Sequence, residues 1–181
     1  MRLLSLLLII LTACSTSAPQ PEGRWQEISG RDSGNGLRSP IYHVRVPQEW
    51  KRIDPVYGES IADSTKPNCT FVIDDLHIVI HSFPGVNIPP GAQVARWKRQ
   101  YPDATVRPST QSGFSGLFFE APTVLGWAMQ IAPEHAQTLR REPQRCADWT
   151  IKATGSAASL TRHRAALLSF AQSFELIEEI R

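Results

Sequence analysis

Three side chains able to bind a metal ion or transfer a proton lie close together in the sequence. They are Asp75, His77 and His81. On an extended strand they share one face, where successive Cα atoms are about 6.6–7 Å apart, so Asp75 and His77 could share a metal ion. The alternative is the polar face of an amphipathic strand, whose other face carries Leu76, Ile78 and Ile80. Because the spacing places no third ligand, we predict no resident metal ion and no cofactor.

A serine and a histidine elsewhere invite comparison with catalytic groups. Ser115 lies in Gly113-Phe114-Ser115-Gly116, which lacks the G-x-S-x-G spacing of a nucleophile elbow and runs on into a strand. His163 falls on the apolar stripe of the last predicted helix, which favours a half-buried, hydrogen-bonded histidine over a catalytic base. No H-E-x-x-H motif, P-loop or Rossmann fingerprint occurs in the sequence. The sequence therefore assigns no catalytic residue.

Basic residues concentrate in three short clusters. The clusters are Arg96, Lys98 and Arg99; Arg140, Arg141 and Arg145; and Arg162 with Arg164. Such clusters are ordinarily solvated helix and loop surface. Two that converge in space could instead meet anionic lipid headgroups or the acidic patch of a partner. Of the three, we take Arg96, Lys98 and Arg99 as the candidate binding surface.

The N-terminal residues have the layout of a secretory signal. Arg2 supplies a positive charge, Leu3 to Leu11 form an apolar run, and small residues precede Cys14. The run is far shorter than the roughly 20 residues that cross a bilayer, and a plain signal would end in an A-x-A-like site. Its end, Leu11-Thr12-Ala13-Cys14, resembles the lipobox of bacterial lipoproteins. The resemblance implies removal of residues 1–13 as a signal peptide and acylation of Cys14, for example with palmitate.

The lipobox resemblance also implies where the protein resides. Each buried CH₂ group of an acyl chain contributes about 0.8 kcal/mol to membrane binding. One chain therefore binds only marginally, whereas two or three anchor the protein durably. Ser15 is not the aspartate that specifies inner-membrane retention in many such lipoproteins, so we expect the cell envelope and favour its outer membrane. Residues 14–40 are rich in Ser, Pro, Gly, Gln and Arg, with little to bury, and predict a flexible tether after the lipidated cysteine.

Two cysteines remain once Cys14 is lipidated. In an oxidising envelope compartment such cysteines often pair, so we favour a disulfide between Cys69 and Cys146. The alternative is two separate buried thiols, which behave as small hydrophobes. A catalytic thiol ranks third, since neither cysteine lies in a recognisable nucleophile motif.

Composition limits both domain number and partner. The 181 residues, less signal and tether, leave one domain over residues 41–181. Hydrophobic residues make up 41% and charged residues 20%, values typical of a globular protein. Lys and Arg number 19 against 17 Asp and Glu, a net charge of +2. This balance argues against a nucleic-acid partner, which requires a concentrated basic field.

Apolar periodicity predicts an alternation of strands and helices. The predicted strands are Ile41 to Val46, a hairpin over Cys69 to Phe83, a second hairpin of Phe114 to Ala121 with Val124 to Ala132, and Trp149 to Thr154. One helix runs from about Pro89 to Tyr101; another begins at Ser156 with the apolar stripe Leu160, His163, Leu167, Phe170 and Phe174. Residues 51–68 are predicted to be mostly loop, and 133–145 are ambiguous. The order predicts an α+β domain with a largely antiparallel sheet covered by helices.

Two short motifs add a family resemblance. Val46-Pro47-Gln48-Glu49-Trp50 follows the first strand, and Ile151-Lys152-Ala153-Thr154-Gly155 precedes a helix ending at Ser173-Phe174. With the element order, they resemble the PsbP-like α/β sandwich over about Ile41 to Ile177. PsbP is an extrinsic photosystem subunit, and its relatives include a Ran-binding protein and many envelope lipoproteins. The chain also resembles uncharacterised envelope lipoproteins of chlamydia-type bacteria.

The PsbP-like resemblance implies a binding role without a shared active site. We therefore expect a lipid-anchored, non-enzymatic binding or adaptor domain for a protein or envelope component, held to the membrane by its N-terminal lipid. The alternative from another class is a metal-dependent or hydrolytic envelope enzyme using the His77 and His81 face. A third possibility is a structural lipoprotein with no discrete ligand. A cleft around the histidines would favour the enzyme, and a flat face would favour binding.

Overall fold

Two antiparallel β-sheets and two α-helices form the part of the chain that the structure describes. The structure is a computed structural model and describes residues 23–29, 40–55, 66–83, 88–131 and 148–177. The strands are β1 Gly23–Ser29, β2 Pro40–Pro47, β3 Lys51–Ile53, β4 Cys69–Ile73, β5 Leu76–Phe83, β6 Thr105–Gln111, β7 Phe114–Ala121, β8 Val124–Ile131, β9 Asp148–Thr154 and β10 Glu175–Leu176. The helices are α1 Pro90–Lys98 and α2 Ala157–Gln172. The predicted α+β class with a largely antiparallel sheet is confirmed.

The larger sheet has seven strands in the order β3-β4-β5-β9-β8-β7-β6, with every neighbouring pair antiparallel. Both predicted hairpins are confirmed, with turns at Asp74–Asp75 and Pro122–Thr123. The sequence pattern does not predict β6, because this outer strand is mostly exposed and lacks an alternating buried face. Its turn into β7 places Ser112 and Gly113 at φ of 45° and 80°, the positive values that a two-residue type I′ turn requires.

The smaller sheet, with the order β1-β2-β10, corrects the predicted start of the domain. Its strand β1 pairs with β2 along its whole length. The prediction of a tether over 14–40 and a domain over 41–181 is therefore wrong for Gly23–Ser29. Ile28 is fully buried in the main core. Residue composition did not predict this strand, because β1 is ordered by backbone hydrogen bonds to β2, and local composition does not reveal such pairing.

Two polar side chains join the small sheet to the large one. Arg52 Nη1 donates to the carbonyl oxygen of Glu27 at 2.8 Å, and Asn68 Nδ2 donates to that of Ser29 at 2.8 Å. Arg52 belongs to β3, which pairs with β4 although its segment is predicted to be mostly loop. That prediction is wrong for these residues, since three residues are too short to show a period of two.

Helix α2 follows the sequence prediction closely. The Ser156 hydroxyl accepts a hydrogen bond from the Ser159 amide at 3.2 Å and so caps the first turn. Leu160, Leu167 and Phe170 are buried on the predicted stripe. The Phe170 ring lies 5.0 Å from that of Trp50 and 5.6 Å from that of Phe71, measured between centroids. In the described ranges, neither helix has the length and apolar content to cross a bilayer.

The large sheet is covered differently on its two faces. One face packs against α2 and the small sheet in the main core, which holds most of the large aromatic residues. The other face packs against α1 through Val94 and Trp97 in a smaller core. Gly126 of β8 is required there, because a Cβ would lie 2.7 Å from the Trp97 ring. Helix α1 contacts β7 and β8, and no other described helix covers the same face over β3, β4 and β5.

Candidate functional site

The predicted Asp75, His77 and His81 group does not converge. Both histidines lie on the same face of β5, with His77 exposed and His81 half-buried. Asp75 lies in the preceding turn, where its carboxylate accepts a hydrogen bond from the Ser156 amide at 2.9 Å. Hydrogen bonds from the Ser159 hydroxyl and from Ser156 lower the Asp75 pKa to about 2. Asp75 therefore anchors the start of α2, and no three potential metal ligands cluster within the described ranges.

The neighbouring Asp74 binds the third basic cluster. Its Oδ2 accepts hydrogen bonds from Arg162 Nη1 at 2.8 Å and pairs with His163 Nε2 at 2.9 Å. The bond to His163, and then that to Arg162, lowers the Asp74 pKa. Asp74 has a positive φ of 51°, a conformation that aspartate tolerates better than most residues. His163 is thus a hydrogen-bonded residue that joins α2 to the β4–β5 turn.

Glu120 binds the other arginine of that cluster. Arg164 meets the Glu120 carboxylate with both terminal guanidinium nitrogens, Nη1 to Oε1 and Nη2 to Oε2. The pair lies in an open depression of about 360 Å³ between α2 and the β7–β8 turn, whose lining also includes Asp103. Because the bidentate pair satisfies both charges, Arg164 and Glu120 connect α2 to β7 at this depression.

Neither Cys69 nor Ser115 lies in the environment of an activated nucleophile. Cys69 forms no disulfide with another described residue and is fully buried in the main core, and burial raises the pKa of its thiol to about 12. A thiol of such high pKa carries almost no thiolate at neutral pH. Cys146 lies outside the described residues, so its disulfide with Cys69 stays a prediction. Ser115 is a half-buried residue inside β7, paired with Thr110 and Gln130 on the adjacent strands.

The first basic cluster contrasts with the third. Arg96, Lys98 and Arg99 are exposed at the C-terminal end of α1. No acidic side chain in the described part of the chain forms an ion pair with them. The second cluster, Arg140, Arg141 and Arg145, lies outside the described residues. The structure therefore separates a cluster bound to carboxylates from one that presents its charge to solvent.

Lys152 adds a fourth cation that sequence reasoning missed. It lies on β9, with Nζ 3.5 Å from Gln100 Oε1 and 5.4 Å from the centre of the Tyr101 ring. Partial burial, and then the charge of Arg96, lowers the Lys152 pKa. The alternation of β9 could have revealed it, because Lys152 interrupts the apolar residues Ile151 and Ala153 on the opposite face. We call Arg96, Lys98, Arg99 and Lys152 the α1 basic face.

A row of paired residues extends from this face across β5, β4 and β3, a part of the sheet that neither described helix covers on this side. Strand register aligns Lys152 with Val79 of β5, Val79 with Thr70 of β4, and Thr70 with Ile53 of β3. Paired residues project from the same side of a sheet. Ile53 is 47% exposed and Val79 is half-buried. The α1 basic face therefore borders a row of half-buried and exposed side chains, beside which His77 and His81 project from the same side of β5.

Comparison with known proteins gives one structural similarity. No protein-family model matches the chain, and no curated protein sequence matches it. Its structure is similar to the solution structure of cyanobacterial PsbP (CyanoP) from Synechocystis sp. PCC 6803, at 14% identity and a TM-score of 0.43. The alignment covers 92% of this chain and 99% of that one. A similarity this low says nothing about ligand, partner or site, and none of these is transferred from it.

Proposed function

We propose that the protein is a lipid-anchored lipoprotein of the cell envelope whose domain is a non-enzymatic binding module. The observation that carries the proposal is the α1 basic face, four cations without an acidic partner in the described residues. Placing like charges together costs free energy unless a ligand of opposite sign offsets the repulsion. The expected ligand is therefore an acidic surface on a protein or other envelope component.

The anchor belongs to the same proposal. Lipidation at Cys14 would hold the domain permanently at the envelope, with the outer membrane favoured because Ser15 follows the cysteine. A membrane-held module meets its partner at high local concentration, so a binding surface of modest affinity suffices. No cofactor and no nucleic acid takes part in this proposed role.

Metabolic labelling with a fatty acid tests the anchor. The parent chain should incorporate label, and Cys14→Ser should leave an unlabelled precursor, because the thioether bond requires the cysteine sulfur. Label retained by Cys14→Ser would contradict the lipoprotein assignment.

Site-specific crosslinking in intact cells tests the binding module. A photoreactive residue replacing Arg99 on α1 should give a discrete crosslinked product. The matched control replaces Gln172, exposed at the end of α2, and should give none. Equal products from both positions, or none from Arg99, would contradict binding through the α1 basic face.

A further inference from the structure

One tryptophan is far more exposed than the other four. Trp25 of β1 is 54% exposed, the largest exposed fraction among the large hydrophobic residues that the structure describes. The others, Trp50, Trp97, Trp127 and Trp149, are at most 4% exposed. Covering an exposed indole is favourable because its large apolar area leaves water, while its N–H group still prefers a polar partner. Trp25 is therefore suited to a boundary between an apolar and an aqueous phase.

The Trp25 side chain projects from the outer face of the small sheet. Side chains alternate along a strand, and Ile28, on the opposite face of β1, is fully buried in the main core. The indole packs against the ring of His43 on β2, with the two centroids 5.0 Å apart. This ring contact supports the indole from one side and leaves more than half of the residue exposed to solvent.

Charged groups on this outer face are divided along the strands. Arg45, which pairs with the indole-bearing residue, donates from Nε to the carbonyl oxygen of Gly23 at 3.4 Å. Glu27 and Glu175 belong to the next row, where both pair with His43, and the Glu175 carboxylate lies 3.5 Å from His43 Nδ1. The indole therefore lies at the end of the face nearest Gly23, and the carboxylates lie farther from that end.

The chain connects this end of the face to Cys14 through a short segment. Strand β1 begins at Gly23, so eight residues separate it from Cys14. A fully extended chain spans at most about 3.6 Å per residue, or about 30 Å over this distance. Pairing of Gly23 with Pro47 fixes the start of the strand in the domain. The indole follows only two residues later, so it belongs to the part of the domain closest along the chain to Cys14.

We infer that Trp25 inserts into the interfacial layer of the membrane that carries the Cys14 anchor. The inference rests on the lipidation proposed above, which keeps Gly23 within about 30 Å of that membrane. Tryptophan is enriched at membrane–water interfaces, where its ring and its N–H group both find suitable surroundings. A single indole binds too weakly to recruit a free domain, but the anchor makes its insertion an intramolecular step. A protein partner lacks this advantage, so the tether favours the membrane.

The same contact sets the direction of the α1 basic face. The small sheet and α1 lie on opposite faces of the large sheet. With Trp25 in the interface, the small sheet faces the lipid and the α1 basic face points away from it. The cations are then directed towards a partner in the aqueous space beyond the membrane, which agrees with the binding role proposed above.

Tryptophan fluorescence tests the inference, because iodide in water quenches exposed indoles and the structure exposes only one of the five. The lipidated mature chain is added from outside to preformed phosphatidylcholine vesicles. Unlipidated residues 14–181 with Cys14→Ser are mixed with the same vesicles. Iodide should quench Trp25 in the unlipidated chain and should lose most of this quenching in the lipidated one. Lipids brominated near the glycerol end of their acyl chains should quench only the lipidated chain.

Two variants assign the signal to its position. Trp25→Phe should remove the iodide-sensitive component from both forms. The matched control moves the indole by combining Trp25→Phe with Val106→Trp. Val106 is 37% exposed and lies on β6, at the opposite edge of the large sheet from β3, whose Arg52 contacts β1. Iodide should quench this relocated indole equally with and without the lipid, and denaturant unfolding should show all chains folded.

Three results would overturn the inference. The first is equal iodide quenching of Trp25 with and without the lipid. The second is shielding from iodide without quenching by brominated lipid, which would assign Trp25 to a protein contact. The third is equal shielding of the indole in the Val106→Trp control, which would mean that no particular side of the domain meets the membrane.

Failure of the inference is distinguishable from failure of the proposed function. Without fatty-acid label on Cys14, the anchor and the membrane contact of Trp25 fail together. With label on Cys14 and full iodide quenching of Trp25, only the inference fails. The Arg99 crosslink tests the α1 basic face independently of both results.

Discussion

The two faces of the large sheet use charge in opposite ways. On the α2 side, Arg162 and His163 bind Asp74, and Arg164 binds Glu120, so the cations join helix to sheet. On the α1 side, Arg96 and its neighbours have no acidic partner in the described ranges. Cations on one face join parts of the fold, whereas those on the other meet no carboxylate among the described residues.

The faces also differ in their apolar packing. The α2 side encloses a continuous cluster of aromatic rings, with Trp149 and Phe174 centred 4.2 Å apart and Phe114 5.1 Å from Trp149. The α1 side holds one tryptophan, Trp97, over Gly126. Since buried apolar area is the main source of stability, the α2 side should dominate unfolding, while the α1 side should tolerate change.

The largest expected effect is on the α2 core. Phe170→Ala should lower the free energy of unfolding by about 3–5 kcal/mol, because it leaves a cavity between Trp50 and Phe71. Val94→Ala on the α1 side should cost about 1–2 kcal/mol, since fewer carbons are removed. Denaturant unfolding of both variants measures the difference. Equal losses would break the proposed division between the faces.

Substituting one arginine on each face sharpens the contrast in charge. Arg164→Gln should destabilise by about 1 kcal/mol, because it breaks a bidentate pair that is only partly exposed. Arg99→Gln should change stability by less than about 0.5 kcal/mol, as exposed substitutions usually do. Thermal unfolding compares the two. A loss at Arg99 matching that at Arg164 would show that the α1 cations are structural as well.

Acid should weaken the α2 side through its aspartates. Asp75 has a folded pKa lowered to about 2, so its contribution is fully present above its unfolded value near 3.8. That contribution is lost as the pH falls from about 4 through about 2. Asp75→Asn should therefore show a flatter decline of melting temperature over this range than the parent. The control is Asp103→Asn, on an exposed residue outside the cap. If the melting temperature of Asp75→Asn falls with pH as steeply as that of the parent, the Asp75 carboxylate does not contribute to acid sensitivity.

The smallest effect is expected at the histidines of β5. His77→Ala with His81→Ala should change the melting temperature little, because His77 is exposed and Asp75 is engaged with α2. Added zinc should not stabilise the parent. A ligand that binds only the folded state at a hundredfold excess over its dissociation constant adds about 2.7 kcal/mol. If zinc raises the melting temperature of the parent but not that of the double variant, the alternative of a metal-dependent enzyme is supported.

The sequence by itself predicted the elements whose signals are local. Alternation at Leu76, Ile78 and Ile80 identified β5, because a half-buried strand requires a period of two. Ser156 and the stripe through Phe170 identified α2, since capping and helical periodicity act within a few residues. The α+β class follows from the order of such elements.

Tertiary structure alone decided which described cations meet carboxylates and that Gly23–Ser29 forms a strand. The runs Arg96-Trp97-Lys98-Arg99 and Arg162-His163-Arg164 look alike in sequence. Among the described residues, only the second meets carboxylates, which lie 88 and 44 residues away along the chain. Likewise, β1 is ordered through backbone pairing with β2. Ion pairs and strand ladders depend on distance in space, and local composition carries no record of which distant segment the fold brings near.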